Sequence, residues 1–269
     1  MLCLETADAR TEIDLAVGGR LASFLVGGRE LLVTSDPDAF NWGCYTMAPF
    51  AGRLRDGRFD HAGRTWQLPL NMSPHAMHGF VYDRPWRQVD DRTIEVDLRA
   101  PWPFAGRVVH HFDLRPGILG FRLELHADEP MPASLGWHPW FMRRPPAAEA
   151  DAPPAGELEL DFEAGAMYER DAEGIPSGRL VAPKPRPWDD CFADVRRPPV
   201  LRWPGFLELT VESEAPAWVV YDEPAHAICV EPETAAPDSL NTAPVIVMPD
   251  HPLVAEMTWR WRRLEPVDR

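Results

Sequence analysis

Apolar and polar residues alternate with a period of two along five stretches of the chain. These are residues 11–17 (TEIDLAV), 92–98 (RTIEVDL), 157–162 (ELELDF), 207–211 (LELTV) and 254–261 (VAEMTWRW). Such alternation sends successive side chains to opposite faces, the mark of a strand with one buried side. Turn punctuation falls between strand-like segments at Gly18-Gly19, Gly27-Gly28, Ala62-Gly63 and Pro116-Gly117, which predicts up-and-down antiparallel pairing. No apolar stripe of 3.6-residue period runs for three turns, and no strand–helix alternation indicates a parallel α/β sheet. The strongly alternating stretch near the C-terminus must pair with a neighbour, which draws that end into a sheet.

The pattern predicts an all-β chain, a large antiparallel β-sandwich, with residues 1–269 forming one domain. Thirty prolines and 18 glycines oppose long helices, while 11 tryptophans and 12 phenylalanines supply a large core. The proline-rich segments 145–155 and 183–187 are short and flanked by strand pattern, so they read as surface loops. No internal repeat points to a propeller or solenoid.

A formal charge of −15 repels polyanions, and no basic stripe interleaves with aromatic residues, so nucleic acid and acidic membranes are not expected partners. Neutral, polyhydroxylated small molecules suit the chain better. Cys3, Cys44, Cys191 and Cys229 are scattered singly, which predicts reduced thiols. The first residues, MLCLETADARTEIDLAV, lack the basic start and apolar run of a signal peptide, and no window has the ~18 apolar residues of a membrane span. The expectation is a cytoplasmic location.

Three distant segments carry groups that exchange protons near neutral pH: PHAMHGF (residues 74–80), GWHPWF (136–141) and CVEPETAAPDSLN (229–241). His75 and His78, with His138 and Glu231, could in principle form a metal ligand set. Residues three apart in an extended segment point to opposite faces, however, so no metal is expected. His138 is read either as an imidazole packed between Trp137 and Trp140 or as a proton-transfer group. Glu231 tips the balance, because it follows the apolar run Ala227-Ile228-Cys229-Val230, and a carboxylate ending a buried strand needs a partner or a task. Pro232 is expected to end or bulge that strand, leaving Glu231 aimed at a cleft, Glu233 as a spare, and the residues after it as a loop. In MAPFAGRLRDGRF (47–59), Arg53 and Arg55 share a face, so one can enter a cleft while the other pairs outside. WDDCF (188–192) adds carboxylates beside aromatic rings, a mixture that suits a sugar.

Taken in order, GGRLASFLVGGRELL, MAPFAGRLRDGRF, PHAMHGF, GWHPWF and CVEPETAAPDSLN resemble the distributed pattern of the aldose 1-epimerase, or galactose mutarotase-like, family. The resemblance spans nearly the whole chain. It implies the large antiparallel supersandwich of that family, a sugar substrate, and no metal or organic cofactor. Residue by residue, it implies His138 as general acid, Glu231 as general base, and Arg53, His78 and Asp189 as sugar ligands, with Asp190 an alternative alignment for Asp189. Two departures bear on the sugar: Gly52 stands where the family usually has asparagine, and Pro232-Glu233 lengthens the interval from Glu231 to Pro237.

The resemblance thus implies interconversion of α and β anomers of a free aldose, with Glu231 ionised and His138 protonated, so that the glutamate pKa should lie below that of the histidine. A sugar-binding sandwich without turnover and a mutarotase for hexose 6-phosphates are the alternatives, the second suggested by Arg53, Arg55 and Arg58.

Overall fold

The computed structural model describes residues 1–147 and 155–265. Most of the loop expected at 145–155 therefore lies outside the described residues. The alternating stretches form two large antiparallel sheets. One has eleven strands, ordered in space as Leu2–Glu5, Ala9–Asp14, Arg20–Val26, Cys44–Met47, Gly136–Met142, Ala227–Glu233, Ala217–Tyr221, Asp189–Val195, Ala164–Arg170 and Pro176–Val181, with Arg29–Glu30 paired onto Arg20–Val26. The other has eight: Arg87–Gln88, Thr93–Leu98, Gly106–Arg115, Ile118–Ala127, Leu253–Arg263, Leu207–Glu212, Val200–Trp203 and Glu159–Asp161.

The chain is an antiparallel β-sandwich, and its expected turns sit where the glycine pairs put them. Gly27-Gly28 and Ala62-Gly63 each join two strands through two residues of positive φ, the geometry whose twist matches flanking strands. Among the described residues the only α-helix is the four-residue Ser239–Thr242, so no helix is long enough to cross a membrane. The C-terminal alternation becomes the central strand Leu253–Arg263, held between Ile118–Ala127 and Leu207–Glu212.

The inward faces of the two sheets share one core. Trp259 is fully buried there, with ring centroids 4.8 Å from Phe121, 4.9 Å from Phe141 and 5.3 Å from Phe24. Ile228 and Val230 join this core, whereas Ala227 and Cys229 on the same strand join a second cluster with Tyr45, Met47 and Trp140. Ala227–Glu233 is thus a central strand buried on both faces, which is why its sequence reads as an apolar run rather than an alternation.

One expectation fails here. The strand does not end at Glu231 but continues through Pro232 to Glu233. Proline costs a ladder donor, yet Pro232 and Pro139 both fall between the registered pairs Gly136–Glu233 and Trp140–Cys229, so the neighbouring pairings on either side hold the segment extended.

Replacing Trp259 with alanine should remove ~3–5 kcal/mol of stability through lost burial and a residual cavity. Urea unfolding followed by circular dichroism checks this as a lower midpoint with little change in slope.

Candidate active site

The cleft opens on the face of the eleven-stranded sheet turned away from the core. Its floor is set by cross-strand register. One row runs Tyr45, His138, then Glu231, Val219 and Cys191, with Tyr45 opposite His138, Val219 opposite Glu231 and Cys191 opposite Val219. The next row contains Trp140, Cys229, Tyr221 and Asp189. Directly opposite residues on one sheet face stand close enough to interact, so distant segments meet without any local motif.

His138 Nε2 lies 3.3 Å from Glu231 Oε1, with both side chains almost fully buried. The imidazole is sandwiched between Tyr45 (4.8 Å, 19° between planes) and Trp140 (5.3 Å, 17°). This corrects the packing expected from the sequence: Trp137 points into the core, where its Nε1 donates to His110 Nε2 at 3.1 Å. Residues 137 and 138 face opposite ways in a strand, so only Trp140 can flank the histidine.

His78 meets His138 edge to face at 5.2 Å. Its backbone is in the left-handed region (φ 56°), and its Nδ1 accepts a hydrogen bond from the Gly52 amide at 3.3 Å while its own amide donates to the Gly52 carbonyl at 3.0 Å. An accepting Nδ1 fixes a neutral ring protonated at Nε2. Gly52 (φ 69°) admits no side chain, since a Cβ would stand 2.5 Å from the Pro237 ring. The cleft wall at this position is backbone, not the asparagine that the family resemblance leads one to expect.

Arg53 lines the cleft, its Nη2 3.6 Å from Asp189 Oδ2. Arg55 turns outside and pairs with Asp171 and Glu173, and Arg58 donates to Gln67. The Pro237-Asp238 loop is tied to this wall by Asp238 N to Arg53 O at 2.8 Å and Arg55 N to Asp238 Oδ1 at 2.9 Å.

Asp189 and Asp190 have different surroundings. Alternation puts Asp189 on the Glu231 face, whereas Asp190 shares the other face with Phe192, which packs with Met167 and Val220. Arg170 bridges them, with Nη1 2.8 Å from Asp189 Oδ2 and Nε 3.2 Å from Asp190 Oδ1, and Lys184 reaches Asp190 at 2.8 Å. Arg170 has no signal in the sequence, because it ends an ordinary strand, AGAMYER.

His75 takes no part in the cleft. It accepts from the Asp56 amide at 3.2 Å and supports the Arg55–Gly57 3-10 turn. Among the described residues, the His/Cys/acidic group compact enough to share an ion is His138, Cys229 and Glu231, with ligand atoms within 4.8 Å of one another, and not the His75–His78 pair. Glu233 is a further correction: it is buried and lines the cleft along with Glu231, because the strand that was expected to stop continues to it.

The electrostatics of the floor reverse the expected order. Burial, reinforced by Glu233 and Asp189 and opposed by Arg53, pushes the Glu231 carboxyl well above its usual range. Burial likewise raises Glu233 and lowers His138 to about 3. His78 is held well below its ordinary value by burial and by His138. Burial thus favours the uncharged form of each group, a protonated Glu231 beside a neutral His138. Protonated glutamate with neutral histidine holds the same number of protons as carboxylate with imidazolium, so the two forms differ by one transfer across the 3.3 Å contact.

These geometries sit in a chain that belongs to the aldose 1-epimerase family, whose profile matches residues 3–239. The family is one of isomerase-type enzymes acting on sugars. The uncharacterized protein YphB of Escherichia coli strain K12 is 27% identical over 216 residues, covering 72% of this chain and 74% of YphB. Among solved structures, a galactose mutarotase-like protein from Clostridium acetobutylicum superposes with a TM-score of 0.81 at 15% identity, over 97% of this chain and 95% of that one. Galactose 1-epimerase from Lactobacillus acidophilus NCFM superposes with a TM-score of 0.78 at 18% identity, over 97% and 93%.

The two raised glutamates bind protons in the folded state that the unfolded chain releases. Their contribution to stability is full below the ordinary glutamate pKa and declines as pH rises toward the folded values. His138 acts oppositely, costing stability as pH falls from its ordinary value of 6.5 to about 3. At pH 7 the ligand-free protein should show a protonated-carboxyl stretch in infrared difference spectra, reduced by Glu231→Gln and absent when Glu233→Gln is added. A spectrum containing only carboxylate bands would contradict this assignment.

Proposed function

We propose that the protein interconverts the α and β anomers of a free aldose by general acid–base ring opening and closure. The observation that carries this reading is the contact between His138 and Glu231 on the floor of a sugar-sized cleft. Its volume is about 220 Å³, below the ~300–1,000 Å³ typical of pockets for drug-sized ligands, which suits one sugar ring.

In this mechanism the shared proton passes to His138 as the substrate enters, leaving Glu231 ionised beside Arg53, whose charge opposes the upward shift of the carboxyl. Glu231 then takes the proton from the C1 hydroxyl while His138 gives its proton to the ring oxygen. The bond between C1 and the ring oxygen breaks, its electron pair stays on the oxygen, and C1 becomes an aldehyde. Rotation about C1–C2 presents the other face, and closure reverses both transfers.

His78 is assigned to hold a ring substituent through its Nε2–H, with Arg53 and Asp189 contacting hydroxyls on the opposite wall. The Tyr45–His138–Trp140 stack fixes the plane of the imidazole. The hexose 6-phosphate alternative is weakened by the pairing of both cleft guanidiniums, Arg53 and Arg170, with Asp189 and Asp190, and by the further acid Glu223 along the same lining. A phosphate would meet more negative than positive groups.

Polarimetry of freshly dissolved aldoses tests the proposal. Glu231→Gln should lose ~10²–10⁴-fold in kcat, the usual worth of a general base, while still binding sugar in calorimetry. A near-normal rate in that variant would remove Glu231 from the mechanism, and sugar binding without acceleration in the unmodified protein would leave only a lectin-like role. The pH dependence of kcat/KM should be bell-shaped, since activity requires one proton on the pair, and a flat profile through neutrality would contradict it.

A further inference from the structure

Among the carboxyl groups that line the cleft, Glu233 is the buried one with neither an ion-pair nor a hydrogen-bond partner, Glu223 being exposed. Asp189 has Arg170 and Arg53, Asp190 has Arg170 and Lys184, and Glu231 has His138. Glu233 is 1% exposed, lines the same cleft, and has no hydrogen-bond partner on either oxygen. Its cross-strand neighbours are Gly136 and Ala217, which offer no side-chain donor. A Cβ on Gly136 would stand 3.1 Å from Glu233 Cγ, so the chain opposite is kept bare at the point where this side chain passes.

An unpartnered buried carboxyl lowers stability and could be replaced by an apolar group of similar shape without loss. Retaining it makes sense if the missing partner arrives with the ligand. We propose that Glu233 is a specificity-determining residue whose carboxyl hydrogen-bonds the C2 hydroxyl of the bound aldose and selects sugars that carry one.

The inference rests on the anomer-interconverting reading of the site. In that reading Glu231 addresses the C1 hydroxyl and His138 the ring oxygen. C1 has two ring neighbours, the ring oxygen and C2, so a group flanking Glu231 on its own strand face is left with C2. Residues two apart on a strand are separated by ~6.6 Å at Cα, and two glutamate side chains can lean together over vicinal oxygens. A protonated carboxyl both donates and accepts, and so does a hydroxyl, which allows two complementary hydrogen bonds. A sugar lacking that hydroxyl would displace solvent and leave the carboxyl unpaired, the arrangement by which binding sites reject deoxy analogues most strongly.

The test compares glucose with 2-deoxyglucose and galactose with 2-deoxygalactose, by polarimetric kcat/KM and by sugar-induced shifts in Tm. The unmodified protein should favour each parent sugar over its 2-deoxy form by about tenfold or more. In Glu233→Met that preference should shrink to about twofold, mainly through KM, while the ligand-free Tm stays level or rises because an unpaired polar group has been removed. An equal preference in both proteins, or none in the unmodified one, would overturn the proposal. If Glu233→Met fails to fold, the sugar-induced shifts of the unmodified protein decide: a shift with the parent sugars and little with the 2-deoxy forms supports the contact, and equal shifts refute it. If no sugar is turned over at all, the anomer-interconverting reading fails, and the same thermal comparison still judges the contact at Glu233 separately.

Discussion

A single strand register governs both the core and the cleft. Gly136 opposite Glu233 and Trp140 opposite Cys229 bring His138 beside Glu231 and, on the other face, send Ile228 and Val230 into the core with Phe141 and Trp259. A slip of one residue would exchange the faces. Two carboxyls would enter the apolar layer, and Ile228 and Val230, each contributing ~1.5–3 kcal/mol when buried, would be turned out into the cleft. The hydrophobic effect on the far side of the strand thereby fixes the aim of the polar groups on the near side. Proline at 139 and at 232 removes donors between the two registered pairs, and the pairs themselves carry the alignment.

The same burial that secures the register sets the proton balance of the floor. Desolvation acts on glutamate and histidine in opposite senses, raising one and lowering the other, so burial favours the neutral forms of both. The opposite wall is built differently, from a chain of ion pairs that runs from Arg53 through Asp189 and Arg170 to Asp190 and Lys184.

The β-sandwich was legible in the sequence because alternation and glycine turns are local, and the register of a hairpin follows from its turn. The pairing of Gly136–Met142 with Ala227–Glu233 was not local, and only the distributed family resemblance linked their residues. In the sequence Pro232 reads as a strand terminator, which leaves Glu233 outside the cleft. That rule weighs the lost donor and omits the tertiary context, which here holds the segment extended from both sides. The expected order of the two pKa values failed for a related reason, since composition reports which groups titrate but not how completely the fold excludes water from them. Arg170 was invisible because it ends a strand of ordinary sequence and meets Asp189 and Asp190 only through the pairing of that strand with its neighbour.

The two departures from the family pattern have a common physical setting. Gly52 leaves backbone in place of a side chain where Pro237 presses against the wall, and the Pro237-Asp238 loop is held there by hydrogen bonds to Arg53 and Arg55. Glu233 begins the segment that leads to that loop. Extending the strand through Pro232 adds a buried carboxyl at one end of the segment, and Pro237 at the other end leaves no room for a side chain at position 52. The floor pair His138 and Glu231 stays in contact while the lining beside it differs. Variation in this short segment can reshape the cleft without disturbing the register on which the floor depends.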